Sequence, residues 1–184
     1  MLGVSGVDYI DRRTGLKYSP WVIVDLDGTL CDTTHRQAMI DVADRSRTDW
    51  EAYSMACTTD GLITATKALV VAIGRDFNVC VLSGRNSSAL PETVEWLGRH
   101  RVLADYIQLR PKGDHRSNPD LKVDFVRTAL SRRWKIELAV DDYPAIKWAL
   151  SSLSIPVLLV QPPSRHPLSQ GTLHSPEWEE TSEI

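Results

Sequence analysis

The chain of 184 residues reads as an α/β protein built on a doubly wound, parallel, five-stranded sheet. Three observations carry that expectation. Five short runs rich in apolar residues (Trp21–Val24, Asn78–Leu82, Tyr106–Leu109, Ile136–Val140 and Val157–Val160) have the length of buried strands rather than helices. Segments with helical spacing of apolar residues separate them. Each of the first four runs also gives way to polar residues, and in open α/β sheets ligands bind at the carboxyl ends of the strands.

Residues 1–20 are polar and glycine-punctuated, compatible with a short hairpin or an arm on the sheet. The first strand ends in Asp25-Leu26-Asp27-Gly28. Side chains alternate along a strand, so Asp25 and Asp27 are expected to leave its end on the same side. Two acids placed there repel unless a cation or proton intervenes. From Cys31 to about Cys57 the chain is polar and helix-compatible. Ile63, Leu69, Val70, Val71 and Ile73 give a helical stripe ending near Gly74. The second strand leads into Ser83-Gly84-Arg85, and Pro91 suits the first turn of a helix running to Arg99. After the third strand comes a basic loop, Arg110 to Pro119, then a helix to about Arg133 carrying Lys122. The fourth strand ends in Asp141-Asp142, and a helix from about Pro144 to Leu153 leads to the last strand. From Gln161 the chain is rich in Pro, Ser and Glu, which suits an extended or disordered tail.

Hydrophobic residues make up 42% and charged residues 24% of the chain, as in a globular protein, and no apolar run is long enough to span a membrane. No signal-peptide pattern opens the sequence. Cys31, Cys57 and Cys80 are too few and too scattered for a disulfide framework or zinc site, so a reducing cytoplasm is the expected setting. The net charge of −3 gives no global reason to expect nucleic acid. Between Arg99 and Lys122, however, Arg99, Arg101, Arg110, Lys112, Arg116 and Lys122 outnumber Asp105, Asp114 and Asp120, a local excess that could attract a phosphodiester.

Asp25/Asp27, Ser83-Gly84-Arg85, Lys122 and Asp141-Asp142, in this order and each after a strand, resemble the four motifs of the haloacid dehalogenase (HAD) superfamily, specifically its phosphatases. The resemblance covers about Trp21 to Val160. It implies a Rossmann-like sheet with strand order 5-4-1-2-3, counting the five runs above. It also implies Asp25 as the nucleophile that forms an aspartyl-phosphate, and Asp27 as general acid and base. Ser83 and Lys122 would hold the phosphoryl oxygens. Mg²⁺ would be held by Asp25, the backbone carbonyl of Asp27 and either Asp141 or Asp142, with Asp142 favoured and Asp141 orienting Lys122.

The run from Arg110 through Gly113, Asp114, Arg116 and Asn118 to Lys122 is similar to the R-x-x-G-D-x-R-x-D-x-x-x-K run of the 3′-phosphatase domain of phage polynucleotide kinases. Arg36, Arg85 and Cys57-x-x-Asp60 also match that domain. Asn118 departs from it, standing where the pattern has an aspartate. This likeness implies substrate roles for Ser83, Gly84, Arg85, Arg36, Arg110 and Arg116. Between the first two motifs there is room only for a small helical cap, about residues 32–60, on a domain spanning residues 1–160, with 161–184 as tail. An open site suits a bulky strand end, although a homo-oligomer could cover it instead. Such modules are usually fused to a kinase, but no G-x-x-x-x-G-K-[ST] loop occurs here, so no kinase domain is expected in this chain.

The expected activity is therefore Mg²⁺-dependent removal of 3′-phosphates from DNA or RNA ends or from nucleotides. A 5′-nucleotidase or another small-molecule phosphatase is the competing enzyme. A module that merely binds nucleic-acid ends is the competing non-enzyme, and it has no need of a nucleophile with an acid two residues on.

Overall fold

The computed structural model describes residues 20–161. The arm expected before Pro20 and the tail expected beyond Gln161 lie outside the described residues. In chain order the strands are β1 (Pro20–Val24), β2 (Cys31–Asp32), β3 (Gly61–Leu62), β4 (Asn78–Asn86), β5 (Tyr106–Arg110), β6 (Lys135–Asp141) and β7 (Val157–Leu159). The helices are α1 (Trp50–Met55), α2 (Thr64–Ile73), α3 (Leu90–Arg99), α4 (Asn118–Ser131) and α5 (Pro144–Ser151).

The five long strands form one sheet in the order β5-β4-β1-β6-β7, every neighbouring pair parallel. Its labels differ from the expected 5-4-1-2-3 because the sequence reading missed β2 and β3. These pair with each other, antiparallel, through Cys31–Leu62 and Asp32–Gly61. Two-residue strands carry no periodicity to read, yet this pair makes a stem from which residues 33–60 project.

Alternation along the central strand splits the interior into two layers. Val22 and Val24 face one side with Val70, Val79, Val81, Trp96 and Leu97, which brings in α2 and α3. Trp21 and Ile23 face the other with Cys80, Leu82, Val126, Ala129, Ile146 and Leu150, from α4 and α5. Because both faces of β1 are covered, its sequence is continuously apolar rather than alternating. Burying each of these aliphatic side chains contributes about 1.5–3 kcal/mol. Trp134, just past α4, stacks on Trp21 at 4.0 Å between ring centroids and ties the helix end to the sheet.

Two segments differ from their expected form. β4 continues through Ser83-Gly84-Arg85 to Asn86, which pairs with Arg110 after an irregularity in register. The strand therefore contains these polar residues instead of stopping before them. The stretch 33–60 is a chain of 3₁₀ turns (Thr34–Met39, Arg45–Arg47, Ala56–Thr59) around the six-residue α1. Local side-chain acceptors explain this. Asp41 accepts from the N–H groups of Ala43 and Asp44, Asp44 from that of Ser46, and Asp49 caps α1 through that of Ala52. Such bonds offer the backbone an alternative to a long helix.

Candidate active site

Beyond Val24 the chain stops being a strand. The Leu26 carbonyl accepts from the N–H groups of Thr29, Leu30 and Cys31, and Gly28 takes φ 90°, where a side chain would be strained. This tight winding breaks the period of two. Asp25 and Asp27 consequently bind different partners, and two charge clusters form.

The first cluster lies at the ends of β1 and β6. Lys122, the fifth residue of α4, sends its buried ammonium to Asp25 Oδ1 at 2.8 Å and to Asp141 Oδ2 at 2.6 Å. Ser117 caps α4 by accepting from the Asp120 N–H, which fixes where the helix starts and hence where Lys122 points. Asp25, Asp141 and Asp142 each present a carboxylate oxygen within 4.8 Å of the others. Thr29 Oγ1 donates to Asp142 at 3.4 Å. Burial pushes the Asp25 carboxyl up to about 7 against the pull of Lys122, with Asp141 and Asp142 adding to the rise. Burial also opposes charge on Lys122, but Asp25 and Asp141 outweigh it and hold the ammonium above the ordinary lysine range. Lys122 bridges two of these carboxylates, and Asp142 gathers with them. An all-oxygen donor set of this kind fits a hard divalent cation such as Mg²⁺.

The second cluster is balanced. Asp27 Oδ1 accepts from Arg36 Nη2 at 2.7 Å and from Arg85 Nε at 2.8 Å. Asp60, almost fully buried, holds the same two arginines: Oδ2 accepts from Arg36 Nη2 and Arg85 Nη2, both at 2.7 Å, and Oδ1 from Arg36 Nε at 2.7 Å. His35 Nε2 lies 2.9 Å from Asp60 Oδ1, and Thr93 and the Tyr53 carbonyl accept the remaining arginine donors. Trp96 donates its indole N–H to the Asp60 carbonyl at 2.8 Å, so α3 fixes this residue from behind. Burial acts to raise the Asp27 carboxyl, but Arg85 and Arg36 prevail and hold it below the usual range.

The remaining expected residues have distinct places. Ser83 is buried next to the sheet end, its Oγ accepting from the Arg85 N–H at 3.3 Å. Arg36 and Arg85 were expected to touch substrate; instead their side chains are fully buried and spent on Asp27 and Asp60. Asp27 was expected to offer the metal its backbone carbonyl; its carboxylate stands outside the Asp25, Asp141, Asp142 group and binds the two arginines. Arg110 binds the carbonyls of Gly84 and Arg116 and the Asn118 side chain, which tacks the loop to β4. Asn118 therefore serves Arg110, and Lys122 is oriented by Asp25 and Asp141. A Cβ at Gly84 would collide with the Asn118 amide, so this glycine makes room for the clamp. Arg116 is half-exposed and pairs with Asp114 at 2.7 Å and Asp124 at 3.1 Å. The basic stretch is thus largely paired: Arg99 with Glu95, Lys112 with Glu51, and Arg116 as above.

Sequence reasoning left Asp60 out of the site. Its one signal was the Cys57-x-x-Asp60 likeness, because a buried acid that binds two arginines distant in sequence has no local pattern.

The family model of the polynucleotide kinase PNKP phosphatase domain matches residues 19–164. This chain belongs to that family. It is a HAD-type phosphatase domain, a hydrolase of phosphomonoesters. No curated protein sequence matches the chain. Among solved structures, the fold is similar to a chain of the Pnkp1/Rnl/Hen1 RNA repair complex, with TM-score 0.62 and 21% identity over 87% of this chain and 47% of that one. It is also similar to the class C acid phosphatase of Bacillus anthracis with tungstate bound, with TM-score 0.54 and 16% identity over 82% and 70%. A HAD family enzyme of Bacteroides thetaiotaomicron, in complex with magnesium and inorganic phosphate, aligns with TM-score 0.51 and 10% identity over 79% and 95%. The chain spans about half the length of the RNA repair protein it matches. Among the described residues no helix is long and apolar enough to cross a membrane.

Proposed function

We propose that this domain is a Mg²⁺-dependent, cytoplasmic phosphatase that removes 3′-phosphates from polynucleotide ends or nucleotides through an aspartyl-phosphate on Asp25. The observation that carries the reading is the buried ammonium of Lys122 held between Asp25 and Asp141, with a carboxylate oxygen of Asp142 within 4.8 Å of theirs. Asp25 attacks phosphorus, the bond to the leaving oxygen breaks, and Asp27 gives that oxygen its proton. Asp27 then takes a proton from the water that attacks the phosphoenzyme, releasing phosphate and restoring Asp25. Lys122 and Ser83 hold the phosphoryl oxygens. Mg²⁺, held by Asp25, Asp142 and the backbone carbonyl of Asp27, would neutralise developing phosphoryl charge and the excess of carboxylates.

The arginine pair gives Asp27 a defined part in both halves. Its lowered pKa suits the base, which must be ionised. For the acid half, the phosphoryl group brings negative charge beside Asp27 and raises its pKa while substrate is bound. Arg36 and Arg85 act here by positioning Asp27. Residues of about 32–60 serve as a small cap that leaves room for a strand end.

A small-molecule phosphatase is the second reading, favoured by the internal pairing of Arg110 and Arg116. The separating experiment is turnover, with and without Mg²⁺, of a panel of 3′- and 5′-phosphorylated oligonucleotides and mononucleotides. Preference for 3′-phosphates supports the first reading. Activity confined to 5′-mononucleotides removes it.

A further inference from the structure

Trp50 opens α1 with 41% of its surface exposed, although it lies in the segment that borders the site. Three short steps join it to Asp27. Its ring meets the Tyr53 ring edge-on at 5.6 Å between centroids, the Arg36 guanidinium lies 4.2 Å from the Tyr53 centroid, and Arg36 reaches Asp27 at 2.7 Å. Tyr53 and Arg36 are buried, so Trp50 is the point where this stack comes to the surface.

The indole is also held in place. Its Nε1 donates to the Arg45 carbonyl at 3.2 Å, and the Arg45 guanidinium lies 5.5 Å over the ring. Next in sequence, Glu51 pairs with Lys112 at 3.0 Å, and the Lys112 N–H donates to Ser87 Oγ, joining α1 to the loop after β5 and to the end of β4. The acids of the same segment are used within it: Asp49 caps α1, Asp44 binds Ser46, and Asp41 binds its own turn and Arg47. An orientated, half-open indole with a cation above it, at the rim of a phosphoryl site, suits a flat π-system attached to a phosphodiester. A base has both, and aromatic rings accept any of the four by stacking.

We infer that Trp50 is a stacking platform for the base at or next to the 3′ end of the strand, with Arg45 beside the adjoining phosphate. The inference rests on the 3′-phosphatase reading and names what would hold its substrate. Trp50 thereby selects for single-stranded or frayed ends, since a paired terminal base is not free to stack on the protein.

The test measures kcat/KM on three 3′-phosphorylated substrates: an oligonucleotide with normal terminal bases, the same oligonucleotide abasic at its last two positions, and glycerol phosphate. Wild type is compared with Trp50→Ala and with Trp50→Leu, which keeps apolar bulk at the helix start but lacks a π-face. Arg45→Ala is included. The expected result is a loss on the order of tenfold or more in both Trp50 variants on the normal oligonucleotide. Turnover of the abasic strand and of glycerol phosphate should hardly change, which also shows that the variants are folded. Arg45→Ala should lose less and flatten the salt dependence. If wild type and both Trp50 variants favour the normal over the abasic strand by the same factor, the platform is overturned and the 3′-phosphatase reading stands. If wild type turns over glycerol phosphate but neither oligonucleotide, that reading falls and the platform with it.

Discussion

Asp25 and Asp27 stand two residues apart, yet they belong to opposite electrostatic designs. Around Asp25, one lysine bridges two carboxylates and a third, Asp142, gathers with them into an all-oxygen group. Around Asp27, two arginines with fully buried side chains and two carboxylates satisfy one another, Asp60 out of solvent and Asp27 partly open to it. The pKa values differ accordingly: burial, with Asp141 and Asp142 adding to it, pushes Asp25 up to about 7 against the pull of Lys122, whereas Arg85 and Arg36 hold Asp27 low against its own burial. A group of carboxylate oxygens can bind something further, a hard cation. A cluster of paired arginines and carboxylates holds geometry. The difference separates a place that can take a ligand from one that fixes side chains.

The largest expected effect breaks the Asp25 side. Asp25→Asn keeps the shape but removes the nucleophile, so turnover of any phosphomonoester should fall to background while circular dichroism stays native. On the balanced side, Asp27→Asn should lower kcat by about 10²–10⁴-fold, the usual scale for general acid–base catalysis. Retained activity there would leave Asp27 a purely structural partner of the arginines. Asp60→Ala should act on stability first. It strands two buried guanidinium groups on Asp27 alone, and breaking a buried pair costs about 3–5 kcal/mol, readable by urea denaturation.

A smaller effect separates the clusters by pH. An ordinary aspartate titrates near 4, so between about pH 4 and pH 7 the unfolded chain releases the proton that folded Asp25 keeps. Metal-free stability from this group therefore falls as pH rises through that window. Asp27 has the opposite sign: its pairing stabilises above about pH 4 and is lost as the pH drops below it. Thermal melts in chelator should show a decline toward neutral pH in wild type that is reduced in Asp25→Asn. Added Mg²⁺ must displace the Asp25 proton, so it should raise Tm more at about pH 7.5 than at about pH 5.5.

Much of this was legible in the chain because the decisive signals are local. Apolar runs of strand length marked all five sheet strands; Asp25 and Asp141-Asp142 follow such runs directly, and Lys122 lies on the helix after the third. What stayed hidden depends on contacts distant in sequence. Asp60 becomes a site residue only when Arg36 and Arg85 are folded onto it. The divergence of Asp25 from Asp27 follows from the winding about Leu26 and Gly28, which strand alternation does not anticipate. Arg116 looked like a contact for the strand because charge counting cannot see that Asp114, and Asp124 nearly two turns into the next helix, pair with it. The β2–β3 stem escaped notice because two residues cannot show a period.

The most direct test of this contrast is a calorimetric Mg²⁺ titration of the metal-free protein, of Asp142→Asn and of Asp60→Asn. If the Asp25 cluster is the one short of a cation, wild type binds a single Mg²⁺, Asp142→Asn binds it at least about tenfold more weakly, and folded Asp60→Asn keeps wild-type affinity. Unchanged binding in Asp142→Asn, with loss in Asp60→Asn, would contradict the assignment of the two clusters.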